Sequence, residues 1–294
     1  MVRSGVHGSV HVGPALIVAA LAISFAAIFF REAMPTHPLV IAGGRLVIAA
    51  LALSPFVLRA ARARRLTRPV VLTALLCGLA YAVHFGTWVA SLELTSVAAS
   101  VTLVTATPLL LGLVALATGR DRPDRRHWIA IGLAIWGVAL IGGADFGSDA
   151  LTGDALALAG AAAMVVYLLA VRRLGDGVDP WAFVGLAALV GGAALLTTAL
   201  LAGVPIRFAS TESLGWVALS ALVPHLVGHT LLTWSLRHAR PTVVGLATVG
   251  EPVGATLLGW VWLGEVPTAV VLLGCSIVVG AVTLTVWRPE KPLS

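Results

Sequence analysis

Ten runs of mostly apolar residues alternate along the chain with short polar or arginine-rich connections. They cover approximately 13–30, 38–57, 70–90, 95–117, 128–144, 153–171, 180–203, 214–236, 241–263 and 268–287. At about 1.5 Å per residue, each is long enough to cross a hydrocarbon core of about 30 Å. The pattern predicts an all-α polytopic membrane protein of ten transmembrane helices, each beside its sequence neighbour because the connections are short. Residues 1–12 and 288–294 read as polar tails, with neither a cleavable leader nor a soluble domain behind them.

The basic residues orient this array. Sixteen of the 19 Lys and Arg fall on one side: Arg3, the clusters at 59–68 and 120–126, Arg172 and Arg173, Arg237 and Arg240, and Arg288 with Lys291. Only Arg31 and Arg207 fall on the other, while Arg45 lies inside the second run. The positive-inside rule therefore predicts that both termini are cytoplasmic. Trp88, Trp128, Trp181, Trp216, Trp234, Trp260, Trp262 and Trp287 fall near run ends, as an interfacial belt would place them; Trp136 falls mid-run.

Composition agrees. The chain is 59% hydrophobic and 11% charged, with mean hydropathy +1.00, where a soluble domain carries about 25% charged residues. The net charge of +6 is a topology signal and implies no nucleic-acid partner. Cys77 and Cys275 sit in apolar runs and make neither a disulfide framework nor a metal motif. No phosphate-binding glycine loop followed by Lys is present, which argues against direct ATP use.

The chain divides into halves of five runs, about 13–144 and 153–287. Shifting the second back by 144 residues aligns Ser235-Leu236 with Ser91-Leu92, Pro252 with Pro108, Glu265 with Asp121 and Pro267 with Pro123. A shift of 142 aligns Pro180 with Pro38 and Tyr167 with Phe25. Because five is odd, the halves are expected to cross the membrane in opposite senses, an inverted repeat of the kind secondary transporters use. Ala90-Ser91-Leu92, Thr95 through Ser100, Pro108, Glu251-Pro252, Leu263-Gly264-Glu265 and Gly274 together resemble the paired repeats of EamA-type members of the drug/metabolite transporter superfamily. The first repeat departs from that pattern at Ala117-Thr118-Gly119-Arg120-Asp121, so strict symmetry of the two helix ends does not follow. The resemblance spans essentially the whole chain. It implies a carrier of small metabolites or drugs, commonly an exporter, working by alternating access.

Candidate chemistry concentrates at mid-depth. Glu251 lies about 15 Å along its helix from Pro241, near the bilayer centre, where a carboxylate is costly and is read as functional by default. It is a candidate for binding a proton or a substrate ammonium group; a carboxyl that only fixes packing is the alternative. Pro108 and Pro252 should break their helices, freeing the carbonyls of Val104 and Thr248. His225 and His229, four apart, share a helical face. Shifted by 144 they fall on Tyr81 and Phe85, with His84 and Trp88 nearby. With Thr107, Tyr167 and Glu251 these form the expected substrate wall, the alternative for the histidines being plain interhelical hydrogen bonds. Arg45 is expected to pair with an acid, such as Glu32 or Glu93, or with free carbonyls; attraction of a substrate carboxylate is the other reading. Arg45, Pro108, Pro252 and Glu265 are assigned structural or gating roles. Gly43-Gly44 and Gly254 with Gly259 read as close helix contacts.

The expectation is a secondary transporter in the bacterial cytoplasmic membrane, without cofactor or metal and able to act as a monomer. It would move an amino acid, amine or planar metabolite, coupled to protons through Glu251. An uncoupled facilitator and an intramembrane enzyme using His225 and His229 are the alternatives.

Overall fold

The computed structural model describes residues 12–95, 97–119, 124–142, 148–174, 179–264 and 266–286. Among them every regular element is helical: α1 (Val12–Ser24), α2 (Ala26–Glu32), α3 (Pro38–Arg62), α4 (Arg68–Leu94), α5 (Val97–Val104), α6 (Thr107–Thr118), α7 (Arg125–Gly142), α8 (Ser148–Leu174), α9 (Pro180–Leu201), α10 (Thr211–Ser220), a π-helix (Ala221–His229), α11 (Thr230–Ser235), α12 (Pro241–Thr248), α13 (Gly250–Leu263) and α14 (Ala269–Val286). Each of the ten apolar runs carries helix. Seven helical stretches among the described residues are long and apolar enough to cross a bilayer, and Thr107–Thr118 and Ala269–Leu284 are shorter apolar helices.

Local chemistry sets the helix ends. Proline occupies the first turn of α3, α4, α6, α9 and α12, where its missing N–H costs nothing. The Asp179 carboxylate accepts from the Trp181 N–H and the Ser210 hydroxyl from the Ser213 N–H, capping α9 and α10. α6 and α13 both stop at a left-handed glycine, Gly119 and Gly264, each with φ 71°. The helix ends therefore match in backbone geometry even though their sequences diverge. Glu265 lies outside the described residues.

Packing runs between halves. α3 lies along α9, α4 along α8 and α9, and α7 along α14; α1 crosses the π-helix and α11, and α6 meets α12. Early α9 meets late α3, at Gly185 beside Leu53 and Val57, and late α9 meets early α3, at Gly43 beside Leu195 and Leu196. The two helices are thus antiparallel. Their approach is close enough that a Cβ on Gly192 would fall 3.0 Å from the Val47 backbone nitrogen, so glycine is needed there. Gly43, Gly44 and Gly254 all fulfil the expected close-contact role: Gly43 against Leu195 and Leu196 of α9, Gly44 against Phe208 and, in α10, Val217, and Gly254 of α13 against Ser24 of α1, where a Cβ would overlap the serine side chain.

One hydrophobic core joins α1–α6, α8, α9 and the α10–α12 region, and a second joins α7, α12 and α14. Leu51, Leu201, Val261, Leu273 and Trp136 point outward, as acyl chains rather than water would favour. Trp88 departs from the expected belt: it is buried against Phe30, ring centroids 5.4 Å apart, because position 88 lies on the inward face of α4.

Candidate functional site

Tyr81, His84, Phe85 and Trp88 are spaced to form one stripe of α4, and all four are buried. The π-helix presents His225 and His229 to that stripe. Their rings lie 5.1 Å apart, with His225 5.2 Å from Tyr81 and His229 5.3 Å from Phe85. Thus the residues that the 144-residue shift superposed in sequence are face to face in space. Tyr167 of α8 stacks on Tyr81 at 4.3 Å, and its hydroxyl shares a 2.6 Å hydrogen bond with that of Thr233. Phe25, its counterpart in the repeat, sits instead in the break between α1 and α2 and stacks on Phe29.

The π-helix was not legible from the histidine spacing. Pro224 lies inside it and cannot donate to an α-helical ladder, which was the available signal. Such windings recur at functional sites. His84 is oriented by its Nδ1, 2.9 Å from the Gly160 carbonyl. A carbonyl only accepts, so Nδ1 carries a proton, and in the neutral ring Nε2 is then the acceptor.

Both predicted helix breaks are present. α5 ends at Val104 and α6 begins at Thr107; α12 ends at Thr248 and α13 begins at Gly250. The Val104 carbonyl, which loses its helical donor at Pro108, accepts from the Thr107 hydroxyl at 3.3 Å. Glu251 sits in the first turn of α13, where the positive end of the helix dipole favours a carboxylate. It shares a small cavity, about 30 Å³, with His84, Trp88, Thr107, Thr248 and His229. That volume holds a water or two and no organic solute. Thr105, also on this cavity, was missed in the sequence; a hydroxyl placed just before a helix break was its only mark.

Arg45 departs from expectation. Its side chain is wholly buried, and none of its three guanidinium nitrogens has a hydrogen-bond partner. Instead of meeting Glu32 or Glu93, the guanidinium carbon sits 4.3 Å from the Phe85 ring centroid and 5.0 Å from that of Phe30. The cause is the inward facing of position 45 where α3 packs in the core, between the rings of α2 and α4. Glu251 and Arg45 interact electrostatically, but across more than the 4.0 Å of an ion pair. Among the described residues no three His, Cys, Asp or Glu gather as for a metal ion.

The two ends of the bundle differ. Between the α2–α3 turn and the α9–α10 connection lies an open hollow of about 650 Å³, lined by Thr36, His37, Arg207 and Phe208 among others. The Ala209 N–H donates to the Thr36 hydroxyl across it, at 2.9 Å. At the opposite end, Arg172 of α8 donates to the Leu236 carbonyl at 2.9 Å, tying α8 to the end of α11.

Comparison with known proteins places this architecture. The model of the EamA-like transporter family matches twice, at residues 14–143 and 151–287. No curated protein matches by sequence. A solved structure described as "Crystal structure of protein" covers 97% of this chain and 100% of its own, with a TM-score of 0.78 at 18% identity. That likeness shows the fold.

Proposed function

The chain belongs to the EamA-like transporter family, of the drug/metabolite transporter superfamily, and is a multi-pass membrane transporter; from that premise we propose that it exports a small organic solute by alternating access through the site between α3, α4 and the π-helix. The ten helical runs act as ten spans, organised as two inverted five-helix repeats, 13–144 and 153–287, with both termini in the cytoplasm. Antiparallel α3 and α9, the second runs of their halves, support the inversion. The arginine distribution supports the orientation, and the membrane is read as the bacterial cytoplasmic membrane.

The observation that carries the reading is the convergence of Glu251, His84 and His229 on a small cavity beside two helix breaks. Ionisable groups at that depth are costly to bury, and where they are kept they commonly mark a solute or proton path. The site residues Tyr81, His84, Phe85, Trp88, Thr107, Tyr167, His225, His229 and Glu251 line or support the path. Arg45, Pro108, Pro252 and Glu265 shape or gate it. The 30 Å³ cavity corresponds to an occluded state, with the Thr36–Arg207 hollow as the outer vestibule and the Arg172–Leu236 contact closing the inner side.

Glu251 carries the coupling proton. In proteoliposomes, a pH gradient should accelerate solute movement by the wild-type protein, while Glu251→Gln should exchange solute without responding to the gradient. An unchanged response in Glu251→Gln would rule out proton coupling through this residue.

A further inference from the structure

Resting on the transporter reading above, we infer that Arg45 and His225 form an anion-recognition pair, so that the solute is a flat carboxylate bearing one further hydrogen-bonding group. A wholly buried guanidinium with three unpartnered nitrogens is an incomplete arrangement. A buried charge left unpaired is strongly unfavourable. Phe30 and Phe85 give cation–π contacts, which offset part of that cost but accept none of the N–H bonds. Glu251 stands too far away to form an ion pair. The guanidinium's planar fork matches the two oxygens of a carboxylate.

His225 independently points the same way. It is wholly buried, and both ring nitrogens lack a hydrogen-bond partner. It packs against Tyr81 and Phe85, and the Arg45 guanidinium lies over the same Phe85 ring. A neutral imidazole offers one donor and one acceptor, which suits a hydroxyl or amino group on the same solute. Tyr81, Phe85 and His229 complete an aromatic wall for a flat body. In this conformation the rings close over both groups, so the carboxylate enters as the bundle opens from the cavity beside His229 and Glu251.

The test uses purified full-length protein in detergent and in sealed proteoliposomes. The probes are 4-hydroxybenzoate, benzoate, the uncharged 4-hydroxybenzamide and the cation tyramine. Wild type should bind 4-hydroxybenzoate more tightly than benzoate and should bind 4-hydroxybenzamide at least tenfold more weakly. Arg45→Gln should lose about tenfold or more of 4-hydroxybenzoate affinity, the scale of a charge-assisted hydrogen bond, with Arg45→Lys intermediate. His225→Leu should erase the preference over benzoate. Arg45→Lys retains the charge and serves as the folding control, with the melting temperature read for each variant. Equal binding of acid and amide, no binding of either acid, or unchanged affinity in Arg45→Gln would overturn the inference. Transport of tyramine without carboxylate binding would overturn it while leaving the transporter reading intact. Absence of transport of every probe by folded wild type, together with carboxylate binding that depends on Arg45, would support the site and count against the carrier.

Discussion

At the residue scale, the inward stripe Tyr81, His84, Phe85 and Trp88 and the pair His225 and His229 were legible, because side-chain spacing alone assigns a face. The partners of Arg45 were not, because what surrounds a buried arginine depends on which helices pack against it rather than on its own segment. The Tyr167–Thr233 bond gives a separable test of the cluster's polar links. Tyr167→Phe should destabilise the protein by about 1–2 kcal/mol, since it strands the buried Thr233 hydroxyl. The double variant with Thr233→Val should recover most of that loss in chemical denaturation, the signature of a coupled pair. A second residue-scale prediction lies outside the membrane. Asp124 accepts from the His127 backbone N–H at 2.9 Å and from its ring at 2.8 Å, and these bonds, the backbone one foremost, hold its carboxyl below the usual 3.8. A carboxylate held low in the folded state stabilises above its unfolded value and loses that contribution as pH falls through the folded one. Asp124→Ala should therefore cost about 0.5–1 kcal/mol at pH 7, the modest end for an exposed helix cap. Denaturation curves of variant and wild type should converge as pH drops below 3.8.

At the element scale, the prolines at 108 and 252 announced the two broken helices, and the breaks fall where the missing N–H requires. The π-helix needed more than the sequence offered: Pro224 signals an interruption but not how the chain rewinds around it. This winding sets the angle at which His225 and His229 meet Tyr81 and Phe85. Pro224→Ala should let the segment rewind as α-helix and rotate the histidines. Transport is expected to fall tenfold or more while the melting temperature holds or rises. Undiminished transport with an unchanged site would remove the π-helix from the mechanism.

At the scale of the whole molecule, the ten apolar runs and the two halves could be read from hydropathy, whereas the seam between α3 and α9 could not, because short connections point to sequence neighbours and a glycine does not name the helix that approaches it. How far the centre is closed could not, since cavity volume depends on the relative tilt of helices that no periodicity records. In the proposed cycle the site faces each side in turn, and the 30 Å³ cavity is one stage of it. The direct measurement is accessibility of position 229 in sealed, uniformly oriented proteoliposomes. It uses His229→Cys with Cys77 and Cys275, both buried, replaced by alanine. A membrane-impermeant thiol reagent should label residue 229 when added to either side, with addition of bound solute slowing both reactions. Labelling from one side only, or from neither, would contradict a midplane site that opens alternately to the two faces of the membrane.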